Sequence, residues 1–377
     1  MKKAVMLAVM AGTITGLVSA TAQETKAPSS WADKLKLGGD LRFRHEYIDK
    51  EGSEERNRQR VRARVNMTGT PSEEVTLGFG LSSSEEGDPV SSNQSLDGGF
   101  SRKDVFIDLA YIDWHPSTLE GVSFIGGKMY MPFATVGDLV WDGDLNPEGM
   151  ALKTSFGGDG LDLFVNAGGF WLDERSSTTD DAMLYGAQLG AKMKQDDFSV
   201  MGAVAYYTYE NVEGFGTLVD AEDGFGNSTT GGEEDPATGE VSPLLYASGY
   251  EILDVITEVG FNAGLPVSLF GNLAVNNDAD DNDTGYQFGV KLGKTKDPGS
   301  FDFGYSYREL EADAVLGAFS DSDFIGGGTD GKGHKLNIGY QINKILKASV
   351  TYFMSEIGLE GDATDYDRVQ IDVAGKF

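Results

Sequence analysis

The chain has 377 residues, 60 of them acidic and 30 basic, for a net charge of -30. That balance excludes a nucleic-acid partner, because neutralising phosphates takes a basic surface, and a cysteine count of zero excludes disulfides and thiolate metal sites. Hydrophobic residues at 40% and aromatic residues at 11% also exclude a disordered polyanion.

In chain order, the first feature is an export signal over 1–22, with Lys2 and Lys3, an apolar stretch from Ala4 and the small-residue site Ala20-Thr21-Ala22. Residues 23–34 then read as a short periplasmic segment. No later run approaches the roughly 18 apolar residues of a membrane helix. From Leu35 onward the pattern has period two, which is that of strands. Leu35, Leu37, Leu41, Phe43 and Tyr47 alternate with Lys36, Asp40, Arg42, Arg44 and Glu46; Val61, Ala63, Val65 and Met67 alternate with Arg60, Arg62, Arg64 and Asn66. Later, Phe301, Phe303, Tyr305 and Tyr307 oppose Asp302, Ser306 and Arg308. The expected strands cover 35–49, 56–70, 74–84, 103–115, 121–131, 148–156, 161–172, 182–193, 197–210, 252–262, 266–277, 284–294, 300–311, 332–343, 346–357 and 366–377.

Connections after even-numbered strands are short and rich in turn residues, such as GGDG at 157–160 and KDPG at 296–299. Those after odd-numbered strands are mostly long and acidic, including 85–102, 132–147, 211–251 and 312–331. This asymmetry predicts an all-β transmembrane antiparallel barrel of about sixteen strands, with short periplasmic turns and long extracellular loops. A soluble sandwich also alternates, but strands of 10–12 residues would be long for one. Closure pairs every backbone group, as lipid requires. The last nine residues, VQIDVAGKF, supply a closing strand: Val369, Ile371, Val373 and Phe377 share one face, and Arg368, Gln370, Asp372 and Lys376 the other.

This strand resembles the last strand of bacterial outer-membrane porins, which ends in Phe after alternating apolar residues; Gly375 departs from that pattern. LGGDLRFRHEY at 37–47, RNRQRVRARVNMTG at 56–69, GGKMYMPF at 126–133 and LVWDGDLNPEGMAL at 139–152 are similar to the putative porin family of Gram-negative bacteria. The resemblance implies an outer-membrane location, a homotrimer, and a third long loop, here 132–147, folded into the lumen.

In a closed barrel the first, second and last strands are neighbours, so their water-facing sides collect Arg42, Arg44, Arg58, Arg60, Arg62, Arg64 and Arg368. Asp40, Glu46 and Asp372 on the same faces offset only some of that charge. An inward third loop would bring Asp138, Asp142, Asp144 and Glu148 opposite the strip, making a charged constriction that sorts solutes by size and charge. The expected function is passive diffusion of small hydrophilic solutes and ions. The alternatives are an anion- or substrate-selective channel, and a plugged barrel serving as a structural or surface-binding protein.

The acidic stretches 222–236 and 276–283 read as solvated external loops, with loose divalent bridging to lipopolysaccharide as their other use. A calcium loop over 278–289 fails, because its sixth and twelfth positions hold Asp283 and Gly289 rather than Gly and Glu. Tyr47, Trp114, Trp171, Tyr207, Tyr209 and Tyr352 lie near strand ends, where aromatic girdles form, although Tyr207 and Tyr209 fall on the face opposite Val200, Val204 and Tyr206. His45, His115 and His334 lack a nucleophile motif nearby, so no enzyme is expected, and no motif calls for a cofactor or metal.

Overall fold

The computed structural model describes residues 34–177, 179–234, 241–359 and 361–377. The export signal at 1–22, and all of the 23–34 segment except Lys34, lie outside the described residues. Sixteen long strands follow: β1 (Leu35–Lys50), β2 (Arg56–Ser72), β3 (Val75–Ser83), β4 (Val105–Trp114), β5 (Val122–Lys128), β6 (Glu148–Gly158), β7 (Leu161–Asp173) and β8 (Ala182–Gln195) make the first half. The second half is β9 (Phe198–Glu210), β10 (Tyr250–Asn262), β11 (Pro266–Asn276), β12 (Thr284–Gly293), β13 (Phe301–Leu310), β14 (Gly331–Gln341), β15 (Leu346–Ile357) and β16 (Thr364–Lys376).

Each strand pairs antiparallel with its sequence neighbours, and β16 returns to β1 in register from Asp40 opposite Lys376 to Lys50 opposite Tyr366. The sheet therefore has no edge. At the seam Gly39 and Phe377 exchange two backbone hydrogen bonds of 3.1 Å each. A Cβ on Gly39 would lie 2.2 Å from the Arg64 carbonyl and 2.7 Å from the Phe377 ring, so only glycine leaves room for that ring.

One rim has the short turns, and β6 to β7 turn on Asp159 and Gly160, both at positive φ (54° and 87°), which suits a tight hairpin. The other rim bears the long loops 84–104, 129–147, 211–249 and 311–330. Side chains are reversed relative to a soluble sheet. On β1, Leu37 and Leu41 are 68% and 59% exposed on the outside, whereas Arg44 and Glu46 are 4% and 0% exposed on the inside. An apolar exterior and a charged interior suit a barrel whose solvent outside is lipid.

The interior is divided. Strands β6 to β11 and β13 present Ala151, Phe170, Leu184, Tyr207, Ile252 and Leu310 to a buried apolar core, completed by Leu139, Val140 and Trp141 of loop 129–147 and by Val315, Leu316 and Phe319 of loop 311–330. The expectation that 222–236 is wholly solvated is corrected here. Asn227 is buried and its side-chain amide donates to the carbonyls of Ala312 and Val315 at 2.7 Å each, because the apolar run 314–319 draws the neighbouring loop onto it. Tyr207 and Tyr209 join the same core, while Trp114 and Trp171 are exposed on the outer face.

Candidate functional site

Strands β1, β2 and β16 face the other half of the lumen. Pairing sets Arg42 opposite Arg62 and Arg44 opposite Arg60, like charges that destabilise a sheet unless something intervenes. The register also sets Asp40 opposite Arg64, Glu46 opposite Arg58 and Arg44 opposite Asp372. Asp40 accepts from Arg62 (2.9 Å) and Arg64 (2.8 Å). Glu46 accepts from Arg58, from Arg368 and, at 3.1 Å, from the Gln370 amide. Asp372 takes both Nε and Nη2 of Arg44, at 2.8 and 2.9 Å, a two-point grip that fixes the guanidinium plane.

Two further carboxylates come from loops. Asp323 of loop 311–330 lies 3.0 Å from Arg44 and 2.7 Å from Arg368. Asp144 of loop 129–147 lies 2.9 Å from Arg64 and 3.8 Å from Arg62. That loop touches inward side chains all around the wall. The Ala134 N–H donates to Gln188 of β8 (2.7 Å), Lys291 of β12 donates to the Val136 carbonyl (3.4 Å), and Asn146 donates to Asp108 of β4 (2.8 Å).

The four acids expected opposite the arginines are thus spread out. Asp144 meets the strip; Asp138 meets Lys335 of β14 at 3.5 Å. Asp142 accepts from the backbone N–H groups of Asp144 (2.7 Å) and Ser322 (2.9 Å), and its own N–H donates to the Phe319 carbonyl (2.8 Å). Glu148, at the start of β6, pairs with Lys128 at 2.9 Å. The physical reason is that an irregular segment crossing a lumen passes different walls along its length. Sequence reasoning missed Asp321 and Asp323, and with them Asn93 of loop 84–104, which accepts from Arg42 at 2.6 Å through its side chain and from Arg60 at 3.3 Å through its carbonyl. The available signal was the apolar run AVLGAF at 314–319 beside SDSD, since a loop carrying that run is unsuited to open water.

Loop titrations follow these contacts. Burial works to raise Asp144, but Arg62 and Arg64, with the Ser92 hydroxyl, hold it below the ordinary carboxylate value. Burial likewise opposes Asp323, yet Arg368 and Arg44 hold it well below normal, and Lys335 and Arg308 lower Asp321. Among the described residues Asp142 has no cation in ion-pair contact: burial first, and then the charge of Asp321, push it up to about 8.

Cavities flank the strip. One of about 490 Å³ is lined by Arg56, Arg58, Arg60 and Asp88, and another of about 310 Å³ by Arg64, Asp108, Lys128 and Asp144. A third, of about 640 Å³, lies against Asp138, Lys291 and Lys335. The histidines are dispersed: His45 contacts Gln59 and His334 contacts Tyr305, both on the outer face, and His115 sits beside Asp113 at a turn.

A closed antiparallel barrel with an oily exterior and a charged inner wall flanked by cavities defines a porin-type channel of the bacterial outer membrane. The chain belongs to the putative porin family, whose model matches residues 47–230 and 247–377. Solved structures of similar fold include OprB of Pseudomonas putida, at 12% identity over 92% of this chain and 95% of that one, with a TM-score of 0.60. OmpF of Salmonella typhi, solved with daunomycin, is 14% identical over 91% and 97% of the two chains with a TM-score of 0.56. A Rhodopseudomonas blastica porin is 14% identical over 91% and 100%, with a TM-score of 0.52. No curated protein matches.

Proposed function

We propose that the protein is a passive diffusion channel for small hydrophilic solutes and ions, in which the arginine wall of β1, β2 and β16 faces carboxylates carried by lumenal loops across a constriction. One observation carries this reading: the arginine half of the interior keeps polar cavities beside the strip, while the opposite half is filled with apolar side chains. Solutes would move along the polar half, exchanging part of their hydration for wall groups, and would bind weakly enough to leave. Family membership supports homotrimeric assembly, contact of the apolar exterior with outer-membrane lipid and lipopolysaccharide, and export through a cleaved leader. The reading is non-enzymatic and needs no cofactor.

The buried loop 311–330 favours a second reading, a plugged structural barrel, since Val315, Leu316 and Phe319 fill space that a wide pore would leave open. Planar-bilayer recording of the refolded protein separates the two. Discrete open steps support diffusion, and a folded barrel without steps means the loops close it.

A further inference from the structure

The arginine strip is not uniformly compensated. Among the described residues, six arginines of the strip, Arg42, Arg44, Arg58, Arg62, Arg64 and Arg368, find ion-pair partners in five carboxylates, Asp40, Glu46, Asp144, Asp323 and Asp372; with Arg60 the strip sets seven positive charges against five negative ones, which leaves two over. The surplus can be located. Arg44, Arg58, Arg62, Arg64 and Arg368 each have a carboxylate oxygen within 3.0 Å. The nearest carboxylate to Arg42 is Asp372 at 3.9 Å, and Asp372 is already gripped at two points by Arg44. Arg60 makes no ion pair; Glu46 and Asp323 are near it, but the first is committed to Arg58 and Arg368 and the second to Arg44 and Arg368.

Arg42 and Arg60 are also neighbours, because both touch Asn93, one at its side-chain oxygen and the other at its carbonyl. Among the described residues neither has a carboxylate at hydrogen-bond distance, and the Nε–H of each has no partner. Arg60 is 6% exposed and lines the outer cavity of about 490 Å³. Asp88 in that cavity spends its Oδ1 on the N–H groups of Val90 and Ser91, at 2.9 Å each. Glu85 and Glu86 also line that cavity, but among the described residues neither they nor Asp88 make an ion pair with Arg42 or Arg60, so two neighbouring guanidinium groups with spare donors offer an anion from solution contacts that no carboxylate of the chain takes up. Guanidinium edges match the two oxygens of a carboxylate.

We infer that Arg42 and Arg60, bridged by Asn93, form an anion station in the lumen that takes small carboxylates, and that the other five arginines of the strip serve chiefly to hold strands and loops together. The inference rests on the channel reading above and gives it a substrate class. The station holds the permeant ion loosely, since each arginine offers only part of its donor set.

The test is reversal potential under a potassium chloride gradient and under a potassium acetate gradient, comparing wild type with R42Q/R60Q and with N93D. N93D supplies the strip with a sixth carboxylate without removing either arginine. Both variants are expected to lower the anion-to-cation permeability ratio on the order of fivefold, as loss of a contact charge in a wet site implies. Added acetate is expected to reduce chloride current in a saturable way in wild type and not in N93D. Should R42Q/R60Q fail to fold, N93D alone decides. Open channels whose ratio is unchanged in N93D would overturn the station; an absence of open steps in wild type would instead overturn the channel reading.

Discussion

Glu46→Gln tests the idea that the strip is a structural network before it is a filter. Glu46 is fully buried and accepts from Arg58, Arg368 and Gln370. The amide has one acceptor oxygen in place of two, and it turns an NH₂ toward at least one guanidinium. Breaking a buried pair from one side costs about 3–5 kcal/mol, because the remaining charge is uncompensated. Two features reduce that figure. Arg368 keeps Asp323 at 2.7 Å, and the Arg58 side chain is 19% exposed to the outer cavity. We therefore expect a loss of about 2–3 kcal/mol, roughly a 30- to 150-fold shift in the unfolding equilibrium. Glu356→Gln is the control: Glu356 meets Lys332 at 3.3 Å with both side chains 40% or more exposed, where a pair contributes at most about 1 kcal/mol. Reversible urea unfolding in detergent micelles, followed by tryptophan fluorescence, measures both. Equal losses in the two variants would refute the assignment of Glu46 as a keystone of the network.

Trp141→Ala removes a buried ring that stands edge-on to Tyr207 at 5.0 Å and stacks near Phe319 at 6.4 Å; a loss of about 3–5 kcal/mol in loop docking is expected. Single-channel conductance should rise as loop 129–147 loosens, and unchanged conductance would argue that the loop does not narrow the path. Asp142 has a folded value raised to about 8, so its contribution to docking is complete below the ordinary carboxylate range and is lost as pH rises through 8. Current fluctuations should therefore increase between pH 6 and pH 9 in wild type. They should stay flat with pH in Asp142→Asn, and a parallel rise there would remove Asp142 from the account. Gly39→Leu drives a Cβ toward the Arg64 carbonyl at 2.2 Å, so the β1–β16 seam should fail to close, read as loss of the heat-resistant folded band on cold gels. A normal folded band would mean the seam has slack that the geometry does not suggest.

The wall was legible in the sequence because its rule is local. Period-two alternation placed Arg42, Arg44, Arg60, Arg62, Arg64 and Arg368 on water-facing sides, and turn chemistry such as Asp159-Gly160 marked the short rim. The counter-charges were only half legible. Asp40, Glu46 and Asp372 follow from the same alternation, whereas the Arg44–Asp323 contact joins residues 279 positions apart through a loop with no periodicity. Nothing in the spacing of Asp138, Asp142 and Asp144 tells which wall each will meet. That depends on where Leu139, Val140 and Trp141 bury themselves, which is a matter of tertiary packing.

Packing and electrostatics in this lumen are one problem. The loops enter because their apolar residues have a place against β6 to β11 and β13, and in entering they bring Asp144, Asp321 and Asp323 toward cations on β2, β13, β14 and β16. Without those carboxylates the wall would hold seven arginines against three acids, and repulsion across pairs such as Arg44 and Arg60 would strain the seam where the barrel closes. Without the apolar half the loops would have little reason to remain inside. Substitutions in the apolar core, distant from any charge, are therefore expected to change ion selectivity, since they move the acids that decide which arginines are left free. Leu316→Ala is the sharpest case: Leu316 is 1% exposed in the run leading to Asp321 and Asp323. Freed of Asp323, Arg44 would keep only Asp372 and Arg368 only Glu46, so the strip would carry a third uncompensated positive charge, raising anion preference, and a selectivity identical to wild type would separate the two halves of the lumen that we treat as coupled.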